Sequence, residues 1–191
     1  MIEPIYFPLG TRCSSAGVIG ELMKKRNNSY PFDWIDTPLF NVLKFLQYDK
    51  NNINEILLEY FAKVDEKTFR HEIDNTWFPH DFPIKEDLVT KYVRRFNRMY
   101  DLFDSNKNIV FLTVLPHFNE SNIVHYDYIK KFLDVRVKGK CTFISVNVME
   151  FNYFDNNHIN FSIPLGNDWG LFHKKIHKSI GLYLKLLKTT K

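Results

Sequence analysis

Two apolar runs without strict polar alternation, Asn108–Leu115 and Cys141–Val148, constrain the fold more than any other feature. A strand with one wet face alternates apolar and polar side chains; a strand covered on both faces need not. Between these runs, residues Ile123–Leu133 carry a helical pattern. A buried strand, a helix and a second buried strand predict a parallel pair joined by a right-handed crossover. The expected fold is therefore α/β, with a central, largely parallel sheet flanked by helices in three layers. One domain is expected over residues 1–191, because this length buries a full core without disulfides or metal.

Other segments fit the same scheme. Ile5–Leu9 is predicted as the first strand and Ser15–Lys25 as a short helix. Pro31-Phe32-Asp33-Trp34 is predicted as a rigid turn, since proline fixes its own φ and restrains Tyr30 before it. Leu39–Leu46 and Ile53–Phe61 are expected to be modest helices, and Thr68–Phe82 to hold short extended pieces broken by Pro79 and Pro83. From Glu86 to Phe103, Leu88, Val89, Tyr92, Val93, Phe96, Met99, Tyr100 and Phe103 trace one helical stripe. A third extended run, His158–Leu165, precedes an amphipathic helix over about Trp169–Leu187.

In parallel α/β sheets, ligands bind outside the carboxyl ends of the strands. Cys13, in Leu9-Gly10-Thr11-Arg12-Cys13-Ser14-Ser15, directly follows the first strand and stands next to a helix start. Helix N-terminal N–H groups favour negative charge, so a thiol there becomes more acidic and its thiolate more available. A thiol nucleophile needs a base, usually histidine, and a group to orient that base. Of seven histidines, His80 stands in the stiffest setting, Trp77-Phe78-Pro79-His80-Asp81-Phe82-Pro83. The competing reading of His80 is a loop histidine bonded to a carbonyl, and that of Cys13 a small buried space-filler.

Three ordered blocks, Leu9-Gly10-x-x-Cys13-x-x-Ala16, Ser29-Tyr30-Pro31-Phe32-Asp33-Trp34 and Phe78-x-His80-Asp81-Phe82, resemble the DUF1796 family, described by prediction as papain-like cysteine peptidases. The helix with Arg94-Arg95-Phe96 and the strand Asn108–Leu115 also match that family's layout. The resemblance covers about residues 5–115 well and the remainder loosely. It implies Cys13 as nucleophile and His80 as general base, acting on a peptide, amide or ester through an acyl-enzyme. Asp33 is the better-placed candidate to orient His80; Asp81, adjacent on extended backbone, points to the opposite face. Asp33 can equally tie down its own turn.

A papain architecture sets its nucleophile helix against an antiparallel, barrel-like sheet, unlike the parallel layer that the strand–helix alternation predicts. In a parallel sheet Cys13 resembles the nucleophile position of an SGNH-type esterase, and Asp168 with His173 becomes a competing acid–base pair. A catalytically inactive interaction module on the same fold is the alternative from another class.

The remaining features point away from other chemistries. Lys91, Arg94, Arg95 and Arg98 on the long helix, and Lys174, Lys175, Lys178, Lys185 and Lys188 on the last, are expected to be solvated faces. With a net charge of only +4, no nucleic-acid partner is expected. Neither metal-ligand spacing nor a glycine-rich phosphate loop is present, so no cofactor is expected. No apolar run approaches the roughly 18 residues that span a bilayer, and no signal peptide is visible, so a cytoplasmic location is expected. Cys13 and Cys141 are then free thiols, with Cys141 inert in a buried strand.

Overall fold

The computed structural model describes residues 4–11, 14–23, 28–33, 35–62, 72–78, 85–115, 120–147, 158–162, 174–176, 178–179 and 181. In chain order the elements are β1 (Ile5–Pro8), α1 (Ser14–Met23), α2 (Leu39–Leu46), α3 (Ile53–Ala62), β2 (Glu72–Ile73), β3 (Thr76–Trp77), α4 (Lys85–Phe103), β4 (Ile109–Leu115), α5 (Glu120–Arg136), β5 (Cys141–Asn147) and β6 (His158–Ser162). A 3-10 turn, Lys50–Asn52, leads into α3 and is capped by the Asp49 carboxylate, which accepts the Asn51 N–H at 3.0 Å.

The main sheet has the order β1-β4-β5-β6, and all three pairings are parallel. Its register aligns Ile5 with Ile109 and Cys141, and Phe7 with Phe111 and Phe143. Period-2 alternation puts those six side chains on one face. There the rings of Phe111 and Phe143 stack at 5.3 Å, and Phe7 meets Phe111 at 5.5 Å and Phe103 of α4 at 5.6 Å. Tyr126, Ile129 and Leu133 of α5 join the same buried cluster. Val110, Leu112, Val114, Ile144 and Val146 are buried outside that cluster, as are Ala16, Val18 and Ile19 of α1, which packs on β1 and β4. Both faces of β4 and β5 are thus covered, which is why their sequences are apolar without alternation. The expected α/β fold with a flanked parallel sheet is the observed one.

Most expected elements match within a residue or two, and α2 matches at both ends. The helix after β4 is longer than expected, at Glu120–Arg136. Its first turn, Glu120-Ser121-Asn122, carries no apolar signal. Its last turn places Arg136 where a cation suits the helix dipole, and Arg136 Nη1 pairs with Asp104 at 2.8 Å. Within Thr68–Phe82, where extended pieces are expected, residues 72–78 hold the β2–β3 hairpin; residues 68–71 and 79–82, and Pro83, lie outside the described residues. Of the last helix, residues 174–176, 178–179 and 181 are described as helical; Lys185 and Lys188 lie outside the described residues.

One expectation is corrected. The basic face of α4 is not wholly solvated: Arg94 is exposed, but Arg95 is buried at 4% exposure. The Arg95 guanidinium lies 4.9 Å from the Tyr92 ring centroid, one turn earlier on the same helix. Its position, four residues before the buried Met99, explains the burial.

Candidate active site

The carboxyl end of β1 turns sharply. Gly10 has φ +67°, and Thr11 follows at φ +69°, so two successive residues occupy the left-handed region. Glycine enters that region freely; a β-branched threonine does not, and needs support from its surroundings. The support is a hydrogen-bonded cluster that is buried throughout. Thr11 Oγ1 lies within hydrogen-bond distance of the Val114 carbonyl oxygen, 2.6 Å from the Gly10 carbonyl oxygen and 3.2 Å from Thr113 Oγ1. Ser15 Oγ, in the first turn of α1, donates to the Gly10 carbonyl at 3.2 Å. Thr113 pairs in register with Ser145 of β5, which is also buried. A band of hydroxyls therefore runs across the carboxyl edge of the sheet, the edge where parallel α/β folds place their ligands.

Gly10 also sets how close the next segment comes. A Cβ built there would fall 2.9 Å from Thr37 Cγ2, 3.3 Å from Val42 Cγ2 and 3.6 Å from Phe32 Cδ1. Phe32 and Asp33 belong to a tight turn in which the Asp33 N–H donates to the Tyr30 carbonyl at 3.1 Å. The Asp33 carboxylate, fully buried, accepts the Tyr30 N–H and so closes its own turn. Arg95 Nη1 approaches the Asp33 carbonyl oxygen at 3.4 Å. The Asp33 turn is thus fixed from within and fastened to α4.

From that turn the chain leads to the third block. The backbones of Asp36 and Trp77 bond reciprocally, at 2.9 and 2.7 Å. Thr37 Oγ1 and Thr76 Oγ1 lie 2.7 Å apart, and Asn41 Nδ2 donates to Thr76 Oγ1 at 3.1 Å. Phe78 is buried against Phe61 and Tyr92, with ring centroids 5.5 Å away in each case. Phe78, Pro31 and Ile35 share the wall of an apolar cavity of about 10 Å³. Three segments far apart in sequence thereby converge: the end of β1, residues 30–33 with 35–37, and β3 with Phe78 after it.

Among the residues predicted for the site, Asp33 is described and is placed as above. Cys13, His80, Asp81, Asp168 and His173 lie outside the described residues. In the sequence, Cys13 stands two residues after Thr11 and directly before Ser14, the first residue of α1. Cys141 is buried in β5, and burial pushes its thiol up to about 12, with the charge of Asp134 adding to the shift. Its sulfur lies 3.8 Å from the Leu133 carbonyl oxygen. This is the inert thiol that the sequence led us to expect. Thr11, Thr113 and Ser145 escaped the sequence reading, because isolated hydroxyls in apolar strands carry no pattern of their own. Among the described residues, no group of three or more His, Cys, Asp or Glu is arranged to hold a metal ion. No described helix is long and apolar enough to cross a membrane.

The profile of the family described as "Putative papain-like cysteine peptidase (DUF1796)" matches residues 5–152, well over half of the chain. The chain belongs to the DUF1796 family. A relative from Acanthamoeba polyphaga mimivirus, "Uncharacterized protein R408", is 28% identical, the match covering 58% of this chain and 61% of that protein. The chain therefore spans under two thirds of that relative's length. No solved structure matches. The match to DUF1796 covers all three converging blocks and extends through β5. At family level this supports a cysteine peptidase. The main sheet is parallel, unlike the antiparallel, barrel-like sheet of a papain architecture.

Proposed function

We propose that this DUF1796 protein is a cysteine-dependent hydrolase of peptide, amide or ester bonds, with Cys13 as nucleophile and His80 as general base. Asp33 is the group that orients His80. The observation that carries this reading is the convergence of the three family blocks at the carboxyl edge of the sheet, through Gly10 against Phe32 and Asp36 against Trp77. His80 takes the thiol proton as Cys13 Sγ attacks the acyl carbon, then delivers it to the leaving group. Water, deprotonated by His80, hydrolyses the resulting thioester. N–H groups at the start of α1 stabilise the oxyanion, at about 3 kcal/mol per donor. The turn bond to Tyr30 uses one Asp33 oxygen, and a carboxylate serves more than one donor.

The parallel sheet favours one second reading, an SGNH-like arrangement in which Asp168 and His173 replace Asp33 and His80. In both readings Cys13 is the nucleophile. The test is the rate at which a small thiol-reactive probe labels each cysteine at pH 7, read by mass spectrometry on the folded protein. Cys13 is expected to react at least about a hundredfold faster than Cys141, whose thiol is buried and kept protonated. Slow labelling of both would leave a non-enzymatic interaction module. Among histidine variants, loss of reactivity in His80→Ala but not in His173→Ala selects the first arrangement, and the converse selects the second.

A further inference from the structure

Helix α5 is apolar on two sides. Tyr126, Ile129, Leu133 and Val137 are buried in the core cluster. On the opposite side Val124, Tyr128 and Val135 are exposed, at 52%, 57% and 89%, with exposed Lys131 in the same row. Single exposed apolar residues are ordinary on a protein surface. These four stand at positions 124, 128, 131 and 135, and intervals of four and three align side chains along one line of a helix. Phe40 of α2, exposed at 45%, widens that line: its ring lies 6.2 Å from the ring of His125, next to Val124.

The order of the intervals reads the same in both directions. A two-fold axis between residues 129 and 130 therefore lays the row antiparallel on its own copy. Val124 then meets Val135 of the second copy and Tyr128 meets its Lys131, each contact made twice. The charges select this arrangement. A parallel pair sets Lys131 on Lys131; the antiparallel pair sets each ammonium on a tyrosine ring and within reach of the other copy's Asp127. Asp127 also comes near Asp134 of the other copy, and the two lysines beside these carboxylates offset that repulsion.

We propose that the outer face of α5 is a self-association surface whose partner is a second copy of this chain, docked antiparallel through Val124, Tyr128, Lys131 and Val135. The row is short, so the dimer is weak and its population rises with protein concentration. Nothing in this surface depends on Cys13 or His80.

The experiment is sedimentation equilibrium of the full chain over about 5–500 μM, a range that populates weak dimers, under reducing conditions. The unaltered protein is compared with Val124→Glu, Val135→Lys and the variant carrying both substitutions, near-UV circular dichroism showing that each is folded. A monomer–dimer equilibrium is expected for the unaltered chain. Each single substitution sets a charge against an apolar partner and is expected to weaken the dimer at least about tenfold. The double variant is expected to recover to within about threefold of the unaltered chain, because the antiparallel pair sets each new carboxylate against a new ammonium of the other copy. The two positions lie about 16 Å apart along one helix, so that recovery does not arise within a single chain. A monomer at every concentration overturns the proposal and leaves the row to a different protein. A dimer indifferent to both single substitutions forms through another surface and overturns it equally. A double variant weaker than either single one places like residues opposite each other, as in a parallel pair, and overturns the antiparallel docking.

Discussion

At the scale of single residues, Gly10 shows most clearly how geometry limits sequence. Its φ is positive, and a Cβ would fall 2.9 Å from Thr37 Cγ2, a methyl that cannot swing aside while Thr37 Oγ1 is bonded to Thr76. The left-handed penalty and the overpacking add, so Gly10→Ala is expected to cost about 2–4 kcal/mol, measured by urea unfolding. A loss under about 0.5 kcal/mol would mean that the turn can relax in a way the packing does not allow for. Gly10 was visible in the sequence as the residue that ends the first strand, but its reason was not. The reason lies in Thr37 and Val42, more than twenty-five residues away. Thr11 was still less legible, because nothing local marks a threonine for left-handed backbone. Arg95 could have been placed: its spacing from Tyr92 and Met99 sets it at the edge of the buried stripe, although residue type alone suggested solvent.

Among the elements, legibility follows how much of each one is buried. Strands β4 and β5, covered on both faces, left uninterrupted apolar runs and were placed to within a residue. Helix α4 had a continuous stripe, and its ends were found with equal precision. Helix α5 was underestimated because its outer surface keeps Val124, Tyr128 and Val135 exposed, which blurs the contrast between faces. The hairpin β2–β3 is held mainly by partners from elsewhere, Asp36 and Thr37, and so no periodicity could announce it. The candidate site follows the same logic. Its block sequences were legible as family signatures, whereas their meeting depends on side chains such as Phe32 and Thr76 that have no chemistry of their own.

For the whole molecule, the aromatic cluster links stability to pH. Tyr48 is pushed up from 10.0 to about 12, mainly by burial and then by the charges of Asp74 and Glu59. Burial raises Tyr60 and Tyr100 further. A phenol is neutral when protonated, so a raised folded-state pKa contributes stability that is intact below pH 10.0 and is lost as the pH climbs toward the folded value. Absorbance of tyrosinate is therefore expected to rise in two stages, the second coinciding with loss of near-UV circular dichroism. A single stage near pH 10.0 with the dichroism intact would contradict it. The central claim is that a parallel α/β sheet gathers three distant blocks so that Cys13 and His80 titrate as one unit. The direct measurement is the pH dependence of Cys13 alkylation in the intact protein and in His80→Ala. The account predicts a midpoint well below the ordinary thiol value of about 8.5, moving upward by a unit or more when His80 is removed. A midpoint near the ordinary value, unchanged in His80→Ala, would contradict it.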